Sequence, residues 1–344
     1  MSEPVSVAIV IVPGSSTSGA FAAIDLFGSA GRHWQLPDAG GRRLFEPYLV
    51  AERTTEVIAP DSVRVQRLDP FETDRIPKII YVPEIVMTGE LRAPLWSGLH
   101  EWLRHCHSQG SILASASTGA ALFADANLLT HQTAATHWAL VPTLQRLYPG
   151  VTFSSAESVC SGDDAATILT AGAGQAWTDL VVSLIARFTD KETALQSVRV
   201  NLLQWHEFGQ RPYREPLSSP ANNDEAIASA IRWLNQNFTQ PAPISLAVEQ
   251  AGIPERTFTR RFHVATGASP LEYVHQLRLN KARRLLESGG LSIQVVAQKL
   301  GYEDPSFFSR LFKREVGLTP AQYRKRFSPL YDALPTGPGQ DDQA

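Results

Sequence analysis

The first two hundred residues alternate between short apolar runs and longer segments in which apolar side chains recur at helical spacing. Continuous runs rich in β-branched residues are typical of buried parallel strands. Such apolar runs lie at residues 5–12, 45–51, 78–83, 110–115 and 165–170. Helical periodicity appears at residues 20–28, 91–108, 118–126 and 177–188. The alternation predicts an α/β fold, an open parallel sheet with flanking helices on both faces.

The last third of the chain has helical periodicity and contains one motif twice. The first copy comprises Phe258, Arg260, Phe262, Gly267, Pro270 and Tyr273. The second comprises Phe308, Arg310, Phe312, Gly317, Pro320 and Tyr323, each fifty positions later. A constant offset of this size indicates one structural unit used twice. This part of the chain is therefore predicted to be a separate all-α domain.

Each copy of the motif predicts a helix-turn-helix. In the second copy Ser292 is the expected N-cap, Gly301 the turn, and Pro305 the first residue of the next helix. In the first copy Ser245 is the expected cap and Gly252 the turn. The helix after each turn faces phenylalanines inward and basic or small polar side chains outward, as helices that enter the DNA major groove do. A bundle with a solvated polar face is the alternative, which the duplication makes less favourable.

The outward polar residues of the two second helices are the candidate DNA contacts. They are Arg256, Thr257, Thr259, Arg260, Ser306, Ser309, Arg310 and Lys313. Residues 270–288 between them predict a helix of about nineteen residues, or nearly 30 Å. This length is close to the roughly 34 Å between successive major grooves on one side of B-DNA. One chain is therefore predicted to place two recognition helices in adjacent grooves of double-stranded DNA.

These motifs carry a resemblance to a known family. Residues from about 222 to 327 resemble the DNA-binding domains of the AraC/XylS family. The likeness rests on the stretch GYEDPSFFSRLFKR at residues 301–314, followed by Gly317, Pro320 and Tyr323. It implies a transcription factor, often an activator, that binds asymmetric sites and acts together with RNA polymerase.

The charge distribution and the composition predict the domain boundaries. Residues 221–328 contain 15 Lys and Arg against nine Asp and Glu, whereas the remainder contains 16 and 25. A basic domain joined to an acidic one fits contact with phosphates. Residues 209–223 contain three prolines with serine and asparagine, which is a linker composition. The predicted organisation is a sensor domain at 1–208, a linker at 209–223, a DNA-binding domain at 224–328 and a disordered tail at 329–344.

The strand–turn–helix junction at residues 112–120 is the candidate ligand site of the first domain. Its small residues hold Ser117 and Thr118 beside a helix N-terminus, whose N–H groups favour anions. His137 follows downstream. Asp25 and Thr17 are expected near the same crevice, because ligands in open α/β sheets bind at the carboxyl ends of the strands.

These segments resemble the class I glutamine amidotransferase-like domains of the ThiJ/PfpI branch, and the whole chain resembles regulators of the GlxA type. The family's nucleophilic cysteine corresponds here to Ser117, and its Gly-Gly segment to residues 83–85, which include a proline. Serine needs a well-placed base, and proline has no N–H to offer an oxyanion. The resemblance therefore implies a non-catalytic pocket for a small carboxylate or amide effector. A hydrolase using Ser117 and His137 is the alternative, and a serine needed only for packing is the third interpretation.

Other features narrow the class of protein. The sequence lacks an apolar run near the roughly twenty residues that span a bilayer, and its first residues lack a cationic start, so we expect a cytoplasmic location. Cys106 and Cys160 suggest neither a disulfide framework nor a metal site. His105 and His107 flank Cys106 on a helix, where neighbours point to different faces, and all three are expected to be solvated. We expect no metal and no cofactor.

Together these features predict a one-component transcriptional regulator. The first domain is expected to bind a small-molecule effector and to form a homodimer. The effector would shift the relative placement of two DNA-binding domains, provided that it binds the two arrangements with different affinity. A structural DNA binder with little sequence preference is a further alternative, which the doubled motif disfavours.

Overall fold

The computed structural model describes residues 3–32, 43–52, 57–58, 63–66, 68–71, 74–86, 97–214 and 224–333. The chain divides into two compact units, Met1–Arg211 and Pro212–Ala344. Gly209 and Gln210 are buried within the first unit, where Gln210 N donates to Ala156 O at 2.9 Å. The start of the predicted linker therefore belongs to the first unit, and residues 215–223 lie outside the described residues.

A seven-stranded sheet forms the centre of the first unit. The strands of this unit are β1 (Val5–Val10), β2 (Phe45–Ala51), β3 (Val57–Ile58), β4 (Arg64–Val65), β5 (Asp69–Pro70), β6 (Ile79–Val82), β7 (Ile112–Ala116), β8 (Thr133–Ala135), β9 (Thr152–Ser154), β10 (Val159–Ser161) and β11 (Ile168–Ala171). The sheet order is β10-β11-β7-β6-β1-β2-β5, and β3–β4 and β8–β9 form two small separate pairs. Every pairing in the large sheet is parallel except that of β10, an antiparallel edge strand.

Helices cover both faces of this sheet. The helices of the first unit are α1 (Thr17–Ser29), α2 (Ser97–Ser108), α3 (Ala120–Asp125), α4 (Val141–Leu147), α5 (Ala176–Phe188) and α6 (Lys191–Val200). Side chains of α1 and α5 pack in one apolar cluster, which includes Phe27 and Leu180. Side chains of α2, α3 and α4 pack in a second cluster, which includes Trp102 and Phe123. The predicted α/β class, with helices on both faces of a largely parallel sheet, is confirmed.

Two details differ from the sequence-based predictions, and a third lies partly outside the described residues. The helix expected from residue 91 is described only from Ser97, because residues 91–96 lie outside the described residues. The helix expected from Thr118 begins instead with a 3₁₀ turn at Ser117–Gly119 before α3. Cys106 is fully buried rather than solvated. It follows Trp102 by one helical turn, and this spacing places it on the inward face of α2.

The second unit is built from seven described helices. They are α7 (Glu225–Asn237), α8 (Pro243–Ala251), α9 (Glu255–Thr266), α10 (Pro270–Glu287), α11 (Ile293–Lys299), α12 (Pro305–Val316) and α13 (Pro320–Ala333). The pairs α8–α9 and α11–α12 form the two helix-turn-helix motifs, with α10 between them. Among the helices that the structure describes, none is long and apolar enough to cross a membrane.

The sequence repeat is also a repeat of geometry. The rings of Phe262 and Tyr273 lie 5.3 Å apart at 79°, and those of Phe312 and Tyr323 lie 5.5 Å apart at 82°. Both recognition helices end at a glycine in the left-handed conformation, with φ of +73° at Gly267 and +84° at Gly317. Glycine tolerates this conformation without strain. The two copies therefore place their second helices on equivalent aromatic supports.

Of the two predicted helix caps, one is present in the structure and one is not. Ser292 Oγ accepts from Val295 N at 3.2 Å, which confirms the cap of α11. Ser245 is not a cap, because α8 begins at Pro243, whose fixed φ and missing N–H suit the first helical position.

The tail prediction is wrong for residues 329–333, which continue α13, while residues 334–344 lie outside the described residues. Tyr323 and Phe327 pack at 4.4 Å within α13, a contact at helical spacing that supports its extension.

Candidate nucleic-acid interface and candidate ligand site

Helix α9 presents a continuous polar face to solvent. Arg256, Thr259 and Arg260 are exposed on it, and with His263 they line one open depression. Their spacing of three, four and seven residues places them on one side of the helix. Thr257 is half-buried and lies about 100° around the helix axis from Arg256. Arg256, Thr259 and Arg260 therefore share the surface that could enter a groove, and Thr257 lies at its edge.

Helix α12 presents the corresponding face of the second copy. Ser306, Arg310 and Lys313 are exposed on it. Arg310 Nη2 lies 3.7 Å from Asp304 Oδ2, an ion pair in which the arginine side chain remains 69% exposed. Exposed pairs of this kind contribute little stability, so a DNA phosphate or base can replace the carboxylate. The half-buried Ser309 donates its hydroxyl hydrogen to Pro305 O at 2.9 Å, so this hydroxyl must rotate before it can donate to DNA.

The repeat and the exposure of α9 identify two residues that the sequence-based selection missed. Adding fifty to His263 gives Lys313, so His263 occupies on α9 the position that Lys313 occupies on α12. His263 is exposed, and Val264 beside it is 78% exposed. An exposed valine on a recognition helix suits contact with the methyl group of thymine. The constant offset was the signal that could have found His263.

Arg278 on α10 joins the two halves of the second unit. Its side chain is 8% exposed and donates to Phe238 O at 2.9 Å, Gly301 O at 3.3 Å and Gln240 O at 3.4 Å. Phe238 and Gln240 follow α7, whereas Gly301 is the turn of the second motif. One guanidinium therefore holds both the α7–α8 connection, which leads into the first motif, and the turn of the second motif to the central helix.

A second arginine in the repeated motif has a structural role. Arg261 is adjacent to the exposed Arg260, but its Nε donates to Asp224 Oδ2 at 2.6 Å. Asp224 also caps α7 by accepting from Ile227 N. The hydrogen bond from Arg261 lowers the pKa of the Asp224 carboxyl below its ordinary value. Arg261 therefore anchors α9 to α7 and is directed away from the exposed face.

Ser117 lies at a strained turn in the first unit. Its φ is +51°, and its side chain is 1% exposed. A non-glycine residue in the left-handed region persists only where the surrounding structure fixes it. Gly119 lets the turn pack closely against the end of β6, because any Cβ at this position would lie only 2.8 Å from Pro83 O. Thr118 then anchors the turn, since its hydroxyl donates to Ile85 O and accepts from Ile85 N, both at 2.7 Å.

The turn meets the carboxyl end of β6 through Glu84. Ser117 Oγ donates to Glu84 Oε1 at 3.2 Å, and Ser117 O accepts from Thr136 Oγ1 at 3.1 Å. Burial, with a smaller contribution from Glu84, raises the pKa of the nearby Tyr81 hydroxyl above its ordinary value. The Ile85 N–H is already bound by Thr118, and Pro83 has none to offer. Neither Pro83 nor Ile85 therefore offers a free backbone N–H to an acyl oxyanion.

His137 and Asp25 occupy different surroundings. The Nδ1 atom of His137 accepts from Ala139 N at 3.1 Å, and its ring lies 5.2 Å from the ring of Trp138. Thr136 next to it reaches Ser117, so His137 lies in the neighbourhood of the turn. Asp25 is exposed on α1, roughly 12 Å along the helix from Thr17. Thr17 lies close to the turn, because Ser16 N donates to Glu84 O at 2.7 Å.

Glu84 is the functional candidate that sequence analysis treated only as a departure from the family pattern. It is half-buried and lies two residues after the end of β6, which pairs with β7, the strand that leads into Ser117. Neighbouring parallel strands end at the same edge of a sheet, so their adjacency would have brought the two residues together. Strand order cannot be read from the periodicity of one sequence, and this is why Glu84 was missed.

The second unit is similar to known helix-turn-helix domains. A model described as a helix-turn-helix domain matches residues 247–326. The chain carries an AraC-type DNA-binding domain. The HTH-type transcriptional regulator CdhR of Pseudomonas aeruginosa is 28% identical over 247 residues, which cover 70% of this chain and 70% of CdhR. The HTH-type transcriptional regulator GlxA of Rhizobium meliloti is 29% identical over 234 residues, which cover 67% and 70%.

Two solved structures are similar to part of the chain. A ThiJ/PfpI family protein from Pseudomonas syringae is 17% identical with a TM-score of 0.49, over 73% of this chain and 92% of that chain. An AraC family transcriptional regulator from Pseudomonas putida is 17% identical with a TM-score of 0.46, over 58% and 100%. By sequence, the chain is a homologue of the HTH-type transcriptional regulators CdhR and GlxA.

Proposed function

We propose that this chain is a sequence-specific, double-stranded DNA-binding transcriptional regulator that a small-molecule effector controls through a non-catalytic first unit. The observation that carries the proposal is the pair of equivalent recognition helices within one unit. Each exposes basic and hydroxyl side chains on a frame fixed by the same aromatic contacts. The regulator acts in the cytoplasm as a homodimer and together with RNA polymerase.

Base readout and phosphate contact are divided among the eight candidate residues. Arg256, Arg260 and Arg310 have the planar donor geometry that reads guanine edges, and Lys313 suits a phosphate. The hydroxyl residues Thr257, Thr259, Ser306 and Ser309 donate to phosphates or bases beside them. Helix α10 has 18 residues and spans about 27 Å, so α9 and α12 can reach successive grooves.

The effector binds at the carboxyl ends of β6 and β7, around Ser117. Ser117, Thr118 and His137 are the proposed contacts at this edge, with Asp25 at the far end of α1. The Thr118 hydroxyl is already bound within the protein, so its backbone is the part left for a ligand. Small carboxylates and amides are the first ligands to test, by their effect on thermal unfolding. A shift that Ser117→Trp abolishes and Asp25→Asn leaves unchanged would assign the site to the turn.

A hydrolase remains the second candidate because one observation favours it. Ser117 has the strained, positive φ typical of a nucleophile at a strand-to-helix turn, and its hydroxyl contacts a carboxylate. A hydrolase using Ser117 and His137 would lose turnover of amide and ester substrates in Ser117→Ala. Ser115→Ala, two residues earlier on the buried β7, is the matched control. The regulator proposal expects no turnover in the parent protein.

The experiment that tests the proposed function is selection of genomic DNA fragments by the purified full-length chain. We expect enrichment of a few sites with two contacted blocks about one helical turn apart. An Arg260→Ala change should weaken the sequence preference within one block, and an Arg310→Ala change should weaken it within the other. Enrichment that neither substitution alters would overturn the assignment of α9 and α12 as recognition helices.

A further inference from the structure

Exposed apolar side chains in the first unit are concentrated in one short segment. Among the described residues before 212, seven large apolar side chains are exposed, and four of them lie between residues 195 and 205. The most exposed are Leu202 at 88%, Trp205 at 54% and Leu195 at 52%. A concentration of large exposed apolar side chains in one short segment is a feature of interaction sites. Leu195 lies on α6, and the other two follow its C-terminus.

The backbone holds these side chains outward. Leu202 has a φ of +52°, a conformation that leucine rarely adopts. The turn is fixed on both sides, because Asn201 Nδ2 donates to Ser197 O at 2.9 Å and Leu203 packs against the core. Trp205 precedes His206, whose backbone N–H and ring Nδ1 contact the buried Asp179 carboxylate at 3.1–3.2 Å. The apolar surface is therefore rigid before any partner binds, which limits the entropy lost on association.

The charges on α6 indicate which partner fits. Glu192 lies in the first turn of the helix and Arg199 in the last turn, with Leu195 near the midpoint between them. All three are exposed and share one stripe, because their spacing is three, four and seven residues. When two such helices pair antiparallel about a twofold axis through their midpoints, each glutamate meets the partner's arginine and the leucines meet at the axis. A surface that complements itself in this way suits an isologous contact between identical chains.

We propose that α6 and the segment through Trp205 form the surface through which two copies of this chain associate. The proposal deepens the homodimer part of the proposed function and assigns it a location. Leu195 lies at the twofold axis, two Glu192–Arg199 pairs flank it, and Leu202 and Trp205 extend the apolar contact. Because each chain carries both recognition helices, DNA selection by one chain does not depend on this contact.

A charge exchange tests the proposal with the full-length chain. Sedimentation velocity of the parent should show a concentration-dependent dimer. Glu192→Arg should weaken the dimer about tenfold or more. In the twofold dimer, the substitution would place an arginine opposite Arg199 of the partner at both ends of the contact. Arg199→Glu should do the same, and the double exchange Glu192→Arg with Arg199→Glu should restore association to within about threefold. A contact with any other surface, including the chain's own second unit, would not be restored by the double exchange.

Cross-linking provides a second readout that folding defects cannot imitate. The natural thiols Cys106 and Cys160 are buried. Leu195→Cys should give a covalent dimer with a short bismaleimide, because the two sulfurs face each other across the axis. Phe21→Cys, at a 42% exposed position on α1, is the control and should stay monomeric. A monomeric parent, an unrestored double exchange or equal cross-linking of both variants would overturn the proposal. Loss of DNA selection with an intact dimer would instead contradict the proposed function.

Discussion

Replacing Arg278 by Met should destabilise the second unit and weaken DNA binding together. The substitution keeps the aliphatic stem but removes the donors to three backbone carbonyls, of which the bond to Phe238 O at 2.9 Å is the shortest. Hydrogen bonds from a charged group contribute about 1.5–3 kcal/mol each, and the two longer ones contribute less. We therefore expect a loss of about 3 kcal/mol in the free energy of unfolding. For a unit of this size, that corresponds to a fall in Tm on the order of 12 °C or more.

The assay is differential scanning calorimetry of the full-length variant, with the transition assigned by hydrogen exchange in peptides from residues 224–333. Arg284→Met on the same helix is the matched control, because Arg284 is exposed. Its free energy of unfolding should change by no more than the ~0.5 kcal/mol typical of surface substitutions. If the two methionine variants unfold at the same temperature, the hydrogen bonds of Arg278 do not stabilise the second unit and do not fix the spacing of the two motifs.

Other substitutions test separate parts of the account. Arg310→Ala should cost about 1–3 kcal/mol of binding to a specific site if the side chain reads a base, and should weaken all sequences alike if it holds phosphate; unchanged affinity in a gel-shift titration would contradict either role. Burial raises the pKa of the Cys106 thiol to about 11 and that of Cys160 to about 12, so both should react slowly with a thiol reagent at pH 8 until the chain unfolds, and rapid labelling of the native protein would refute their burial. Burial, together with Arg278 and Arg314, lowers the pKa of His275 below its ordinary value. The second unit should therefore be most stable above about pH 6.5 and lose stability as the pH falls toward the lowered pKa, whereas His275→Gln should flatten this dependence in urea titrations.

The helix-turn-helix unit was predictable because its determinants are local. Gly267 and Gly317 terminate helices where only a residue that tolerates positive φ fits, and Ser292 supplies a cap by its own side chain. The inward phenylalanines recur at helical spacing, and the repeat doubled each of these signals. The miss at Ser245 has the same origin, because two competing local signals lay two residues apart and Pro243 determined where α8 begins.

The candidate ligand site was only partly predictable because it depends on strand order. Ser117 could be placed at the turn from the small residues around it. Its contact with Glu84 requires β6 beside β7, which long-range packing decides. The outward turn at Leu202 was also beyond reach, since a positive φ at leucine is imposed by neighbours such as Ser197 and not by its own preference. Residues whose roles depend on distant partners are those the sequence left undetermined.

We propose that one chain reads two adjacent major grooves with α9 and α12. Footprinting of an enriched site by the parent, Arg260→Ala and Arg310→Ala proteins at about 0.15 M salt tests this arrangement. We predict two protected blocks separated by about one helical turn, with each substitution reducing protection in a different block. A single protected block, or two blocks that both substitutions weaken equally, would contradict the claim.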